Sequence, residues 1–367
     1  MERGKAVMPL PAVRRPRVRV RVNDKTFAAT SVTVVSVSHY SADTFEISAP
    51  LAIERYSGID YALNGPSYAT IDIGYADDSG MIDDWVTLIA GNIDTVRREP
   101  LPSGSVTLSG RDLSSVFLDQ KISDQWPNAT SSEIITKLGV AAGLDVQAQA
   151  TTALVGTASD RGSAGAVQER VAWDVMVDLA KKEGFDLWVS GRTLYFQAPN
   201  SSGPPWIAYY TPDGRGGPVT NLQTLALTQS LTLANDITVF VKTWNSKTKA
   251  KFTGTAKRSG GNKSGRKTQI YTFSVPGLTQ DQAQAEAQKR LAAISKHERV
   301  IDFSLPGDSR LSIRDMIRLD TGGALPDWEQ DYYPENITRS LSVSGGFTMS
   351  IRAKNQDQIL TPDGNVS

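Results

Sequence analysis

From residue 17 to residue 22 arginine and valine alternate without a break, Arg17-Val18-Arg19-Val20-Arg21-Val22. A period of two sends successive side chains to opposite faces, so the segment reads as a strand with its valines on a core and its arginines in water. Asn23-Asp24 supplies turn chemistry before the next strand, at Phe27. Further strands are predicted at 32–38, 45–49, 68–75, 86–96 and 106–109, separated by Gly, Asp, Asn, Ser and Pro at the interval of a sandwich or barrel.

After Gly110-Arg111-Asp112 the hydrophobic period lengthens to that of a helix. Thr130-Ser131-Ser132-Glu133 spells a capping box, and Ile134, Ile135, Leu138 and Ala142 then share one face until Gly143 stops the turn. A second helix is predicted over 168–182, with Ala172, Val175, Met176 and Leu179 as its buried stripe and Gly184 as its cap. Two short strands follow, at 185–189 and 193–197. The turn-rich stretch 200–205 then reads as a linker or exposed loop. Strands return at 223–228, 237–243, 250–255 and 269–273, followed by a helix opened by Thr279 and Gln282, whose inner face is Ala283, Ala287, Leu291 and Ile294. The last strands fall at 300–305, 316–319, 337–343 and 347–353, the final pair joined at Gly345-Gly346. No repeat of solenoid or propeller length is visible.

The pattern predicts a mainly β chain with an α+β insert. Its expected divisions are a flexible N-terminus 1–13, a first β-barrel domain 14–110, an α+β insert 111–199, a second β-barrel domain 200–355 carrying one helix and a basic hairpin 242–267, and a flexible C-terminus 356–367. A chain of 367 residues with 40% hydrophobic and 21% charged residues has room for several cores of this kind.

Charge changes the picture little, because 39 basic residues balance 39 acidic ones and leave no global field for nucleic acid or an anionic membrane. The absence of cysteine excludes a disulfide framework and thiolate metal sites. Arg14, Arg15, Arg17, Arg19 and Arg21 are not followed by an apolar run, and no stretch of about 18 apolar residues occurs. The expectation is a protein neither exported by a signal peptide nor inserted in a membrane, for which lysis is one route out of the cell.

Candidate chemistry is sparse. His39 ends a strand and His297 ends a helix, without a nucleophile elbow to complete a triad, so surface or capping roles are expected. Asp83-Asp84 could serve a glycoside hydrolase, yet adjacent residues on a strand point apart, and the loop 77–84 reads as a hairpin tip. Asp327, Glu329 and Asp331 hint at calcium but lack the glycine and distal glutamate of a known loop. Phosphate-binding glycine loops are missing. No catalytic, cofactor-binding or metal-binding residues are therefore assigned. The strongest local signal is Lys247, Lys249, Lys251, Lys257, Arg258, Lys263, Arg266 and Lys267, set among Gly, Ser and Thr with no acid from 237 to 280. Such a loop is solvated by default, with a protein contact or a nucleic-acid contact as the functional alternatives.

Several spellings in serial order carry a family resemblance: Ala90-Gly91-Asn92-Ile93-Asp94, where a strand is expected to run into a polar turn, Ser109-Gly110-Arg111-Asp112-Leu113, Gln125-Trp126-Pro127-Asn128-Ala129-Thr130, the span 180–189, and the block 302–353. Together they resemble the baseplate hub proteins of contractile-tailed phages, the late-control gene D family, most of all the hub of Mu-like phages. The resemblance implies a homotrimer whose subunits each contribute two β-barrel tube domains of hub type, forming a pseudo-sixfold ring between the tail tube and the central spike. It further implies a virion baseplate location after assembly in the host bacterial cytoplasm. The implied partners are the spike, a tail tube or distal tail protein, and baseplate wedge proteins, with a tape-measure protein among the candidates. Neither a small-molecule substrate nor membrane insertion is implied. Two other classes stay open: a tail-associated cell-wall or polysaccharide hydrolase, and a nucleic-acid-binding module built on the basic hairpin.

Overall fold

The arginine–valine alternation forms β1 (Arg15–Val22), and it opens a set of seven strands completed by β2 (Lys25–Phe27), β3 (Ser31–Val37), β4 (Thr44–Pro50), β5 (Ser67–Ala76), β6 (Trp85–Glu99) and β7 (Ser105–Asp112). The structure is a computed structural model; it describes residues 15–38, 40–52, 65–77, 80–82, 84–123, 126, 128–155, 169–199, 203–212, 217–230, 237–245, 250–258, 269–295 and 299–355. Spatial order in this first half is β3-β4-β7-β6-β5-β1-β2, with every pair antiparallel. Val20, Val22, Val32, Val34, Phe45, Ile47, Ile71, Val106 and Leu108 alternate onto one core. Each such side chain stabilises the fold by roughly 1.5–3 kcal/mol relative to exposure. The opposite face of β1 is less wet than the alternation implies. Arg19 and Arg21 both reach the buried Asp72 of β5, at 2.9 and 3.2 Å, and Thr87 Oγ1 donates to the same carboxylate at 2.7 Å.

The insert follows as α1 (Ser115–Leu118), β8 (Lys121–Ile122), β9 (Ala129–Thr130), α2 (Ser131–Ala141), β10 (Asp145–Ala148), β11 (Leu154–Val155), β12 (Arg170–Val171), α3 (Ala172–Glu183), β13 (Asp186–Ser190) and β14 (Thr193–Gln197). The predicted capping box forms: Glu133 N donates to Thr130 Oγ1 at 3.3 Å, and Thr130 N donates to Glu133 Oε2 at 2.8 Å. Helix α3 ends as expected on Gly184 in the left-handed region. It begins at Ala172 rather than near 168, because Arg170-Val171 pairs with Lys121-Ile122 and commits those backbone groups to a ladder; residue 168 itself lies outside the described residues.

The second half begins with β15 (Trp206–Pro212), β16 (Pro218–Thr220) and β17 (Thr224–Gln229). A separate unit then intervenes: β18 (Ile237–Asn245), β19 (Ala250–Arg258), β20 (Gln269–Ser274) and α4 (Gln280–Ser295). Its three strands lie in the order β19-β18-β20, and Ile237, Val239, Val241, Ala256 and Ala287 form a core distinct from that of the surrounding strands. Helix α4 packs so near β19 that a Cβ on Gly254 would overlap the Ala283 carbonyl. The region 200–355 thus holds two cores, which the single expected β domain did not separate. The strand run resumes with β21 (Arg299–Pro306), β22 (Ile317–Asp320), β23 (Asp331–Ser342) and β24 (Gly346–Asn355). Pairing between β23 and β3 fuses both halves into one 14-stranded sheet.

Candidate functional site: the seam, the bulges and the bare edges

Spatial order in the second half is β17-β21-β24-β23-β22-β15-β16. Position for position this repeats β3-β4-β7-β6-β5-β1-β2. The repeat extends to individual groups. Strand β6 carries a bulge at Asp94, between Ile93 and Thr95, and β23 carries one at Glu335, between Pro334 and Asn336. A bulge leaves one residue out of the ladder and re-aims its side chain. Both bulge carboxylates meet a cation on the next strand: Arg111 Nε reaches Asp94 at 2.7 Å, and Lys354 Nζ reaches Glu335 at 2.6 Å. One residue beyond each cation, Asp112 Oδ2 accepts from Asp43 N at 3.3 Å, and Asn355 Oδ1 accepts from Arg299 N at 2.8 Å. At the far end, Thr30 N donates to the Ser48 carbonyl at 2.8 Å and Gln223 N donates to the Ser304 carbonyl at 2.7 Å. The exception is that β1 runs antiparallel to β5, whereas β15 runs parallel to β22.

The stretch Ala90–Asp94, expected to end in a polar turn, lies instead inside the continuous β6. Bulging at Asp94 absorbs the polar pair without ending the strand, and the two glycines of these motifs serve the crossing. A Cβ on Gly91 would overlap the Arg111 carbonyl, and one on Gly110 would overlap the Asn92 carbonyl and the Phe45 ring.

The internal seam pairs Asn336–Ser342 of β23 with Ser31–Val37 of β3 in antiparallel register. Both partners are covered: no residue of β23 or β3 is exposed. Among the described residues the counterparts of these strands have a strand neighbour on one side only. Thr224, Ala226, Thr228 and Gln229 of β17 are exposed, as are Asp94, Thr95, Arg97 and Arg98 of β6. Among the described residues, β17 pairs only with β21, and the part of β6 beyond Ile93 pairs only with β7.

Where the two halves and the insert meet, five charged groups gather, of which the sequence reading named only Asp112, within the Ser109–Leu113 spelling. Asp43 and Asp112 come from the first half, Asp186 from the insert, and Arg314 and Arg339 from the second half. Burial raises the Asp43 and Asp186 carboxyls above the usual range, and burial helped by the Asp43 charge lifts Asp112 to about 7. Burial likewise lowers both arginines, against the pull of the carboxylates. The Arg314 guanidinium lies 3.9 Å over the Trp188 ring, and Arg339 donates to the Leu311 carbonyl. Tyr40 bolts the insert to the first half: its hydroxyl donates to the Phe185 carbonyl at 2.8 Å, and its carbonyl accepts from Trp173 Nε1 at 2.6 Å. These residues lie on segments far apart in sequence, so no local spelling could announce them.

The basic segment is not one hairpin. Strand β19 pairs antiparallel with β18, and β20 runs parallel to β18, while 246–249 and 259–268 lie outside the described residues. Lys251 pairs across from Trp244 and Lys257 from Thr238, about 20 Å apart along the strand. Arg258 ends β19; Lys247, Lys249, Lys263, Arg266 and Lys267 lie outside the described residues, as do His39, Asp83 and His297. Two of the 327–331 acids, Glu329 and Asp331, are engaged in local structure. Glu329 accepts from Thr321 Oγ1 at 2.6 Å and from Gly323 N at 2.7 Å, which lowers its carboxyl, and Asp331 takes Arg318 at 2.7 and 2.8 Å. Among the described residues no cluster of three or more His, Cys, Asp or Glu could hold a metal, and no helix is long and apolar enough to cross a membrane.

This arrangement, mainly β with an α+β insert, is a fold shared with solved phage-tail proteins. No protein-family model and no curated protein matches the sequence. The structure is similar to the tail protein from Neisseria meningitidis MC58, with a TM-score of 0.67 at 15% identity, over 95% of this chain and 99% of that one. It is similar to the 43 kDa tail protein of prophage MuSo2 from Shewanella oneidensis, with a TM-score of 0.62 at 12% identity, over 92% and 97% of the two chains. A component of the E. coli type VI secretion system, the c3393 protein, matches with a TM-score of 0.50 at 8% identity, over 93% of this chain and 77% of that one.

Proposed function

We propose that the chain is a structural, non-enzymatic subunit of a phage or phage-like tail, a baseplate hub in which three copies form a ring of six sheet units. One observation carries the reading: two halves with the same strand order run into each other across one seam, and among the described residues the matching edges pair with no further strand. An unpaired strand edge is a template for another chain, and a head-to-tail contact closes into a ring when its rotation closes. Similarity to tail proteins along nearly the whole chain supports the tail setting. In that setting the ring sits in the virion baseplate, assembled in the host cytoplasm, with the tail tube or a distal tail protein on one side and the central spike on the other. Wedge proteins lie at its periphery, and a tape-measure protein is a candidate for its lumen.

Mass photometry and negative-stain imaging of the purified chain test this. The expected species has three times the 39.7 kDa chain mass and threefold symmetry. A chain that stays monomeric at its highest soluble concentration and is missing from purified tails overturns the reading.

A further inference from the structure

The internal seam specifies its own copy between subunits: we propose that the β17 edge of one chain adds, in the next, to the side of β6 beyond Ile93 that no described strand pairs with, in the register that β3 keeps with β23. This deepens the ring reading and rests on it. Matching the bulges aligns Val96–Glu99 with Ile337–Ser340, since Asp94 and Glu335 hold the same place. Matching the Ser48 and Ser304 carbonyl contacts aligns Ala226–Gln229 with Thr33–Ser36. Within the chain Ile337 faces Ser36, Thr338 faces Val35, Arg339 faces Val34 and Ser340 faces Thr33. Between chains the same register places Val96 opposite Gln229, Arg97 opposite Thr228, Arg98 opposite Leu227 and Glu99 opposite Ala226.

The occupant follows from continuity with an interface already built. A β ladder is made by backbone N–H and C=O groups, which every residue here supplies, so the flank that accepts β3 in one half has a counterpart able to accept β17 in the other. Pro100 limits the length of the new seam, because proline lacks the donor needed to extend it. Leu225 and Leu227 point the same way: both pack on the second-half core yet remain partly exposed, on a strand that has a neighbour on one side only. A strand laid along the other side would complete their cover, as β23 completes that of Val32 and Val34.

The chain has no cysteine, so paired thiols read the register directly. Arg97 has a side chain 74% exposed and Thr228 is exposed, so R97C/T228C should fold as the parent does. Under mild oxidation this double variant is expected to give a covalent ladder ending at the trimer. Either single variant, or the off-register R97C/A226C, should give at least tenfold less interchain product. V35C/T338C, the matching pair of the internal seam, should close within one chain and calibrates the geometry. Amide exchange gives a second reading that needs no substitution: Val96–Glu99 and Ala226–Gln229 should exchange at least tenfold more slowly in the ring than in the dilute monomer. A ring that forms without the R97C/T228C ladder while V35C/T338C closes, or without added protection at both strands, overturns the seam and leaves the ring intact. Failure to form any ring overturns both.

Discussion

Asp112 is where the buried charge of the three-way junction can be weighed. It is 6% exposed at the end of β7, and burial, joined by the nearby Asp43, lifts its carboxyl from 3.8 to about 7 against hydrogen bonds from Ser114 and the Asp43 amide. Unfolded, the group ionises near 3.8; folded, it keeps its proton until about 7. Between these values the folded state binds more protons, so the contribution is fully present below the unfolded value and is lost as pH rises through the folded one. At about 1.4 kcal/mol per tenfold change in proton affinity, the span amounts to roughly 4 kcal/mol. Asp112→Asn cannot ionise and removes this dependence. The amide also offers a single oxygen to donors that the carboxyl meets with two, at a cost of about 1–2 kcal/mol. Asn355 shows that an asparagine in the matching place accepts its own amide, from Arg299. Urea unfolding across this pH range should therefore find the variant about 1–2 kcal/mol weaker than the parent near the acid end, and about 2–3 kcal/mol stronger once Asp112 is ionised in the parent. Asp43, Asp186, Arg314 and Arg339 remain in both proteins, so the difference between the two curves isolates Asp112 and its effect on those neighbours. Parallel curves for parent and variant would refute the reasoning.

Gly110→Ala forces a Cβ against the Asn92 carbonyl and the Phe45 ring, and should cost at least about 2 kcal/mol in thermal or chemical unfolding, whereas Gly104→Ala, with open space around it, should cost less despite its positive φ. Trp173→Phe deletes the donor to the Tyr40 carbonyl and should lower stability by about 1–3 kcal/mol, seen as increased amide exchange where the insert meets the first half. Thr130→Ala removes the side-chain half of a capping box and should cost about 1 kcal/mol, read from the same melts. Replacing 230–298 by a short turn should leave the rest folded, since β17 and β21 are direct antiparallel neighbours and the excised unit has its own core; circular dichroism with an unchanged number of chains per assembly checks this, and aggregation of the shortened chain would count against it.

Where side-chain period and backbone chemistry coincide, the sequence was readable. Alternation in 17–22 and 106–109, the Thr130–Glu133 box and the Gly184 cap are local statements, and the structure contains each of them. Strand β15 escaped because its run Trp206–Tyr210 is continuous rather than alternating and is hemmed by Pro204, Pro205 and Pro212. Pro334 hid the start of β23 in the same way, since the bulge beside it accommodates a missing donor that a regular ladder would not. That the two β domains repeat each other was an expectation carried by the family resemblance; the residues alone hid the duplication for a different reason. Its matched positions keep chemistry and not identity, with Asp94 for Glu335, Arg111 for Lys354 and Asp112 for Asn355, while the residues between β17 and β21 destroy any constant spacing. The charged junction draws on residues 43, 112, 186, 314 and 339, a set that only the packed structure brings together.

The same contrast between backbone and side chain bears on how one chain could join partners of unequal symmetry. Strand order, bulge position and edge geometry are written in the backbone, and these are what the two halves share. Outside such matched groups as the bulge ion pairs, side chains are what they do not share: Asp43 stands where the second half has Arg299, and residues 38–43 make a connection that in the second half is made by 230–298, with three strands and a helix of its own. In a ring of three chains the sheet would recur six times and the β18–β20 and α4 unit three times. A partner that reads only the shared strand order and bulges would meet a sixfold surface, whichever half it touches. A partner that reads side chains meets a threefold one. Symmetry adaptation then needs no special part, only a duplicated backbone whose copies were decorated differently.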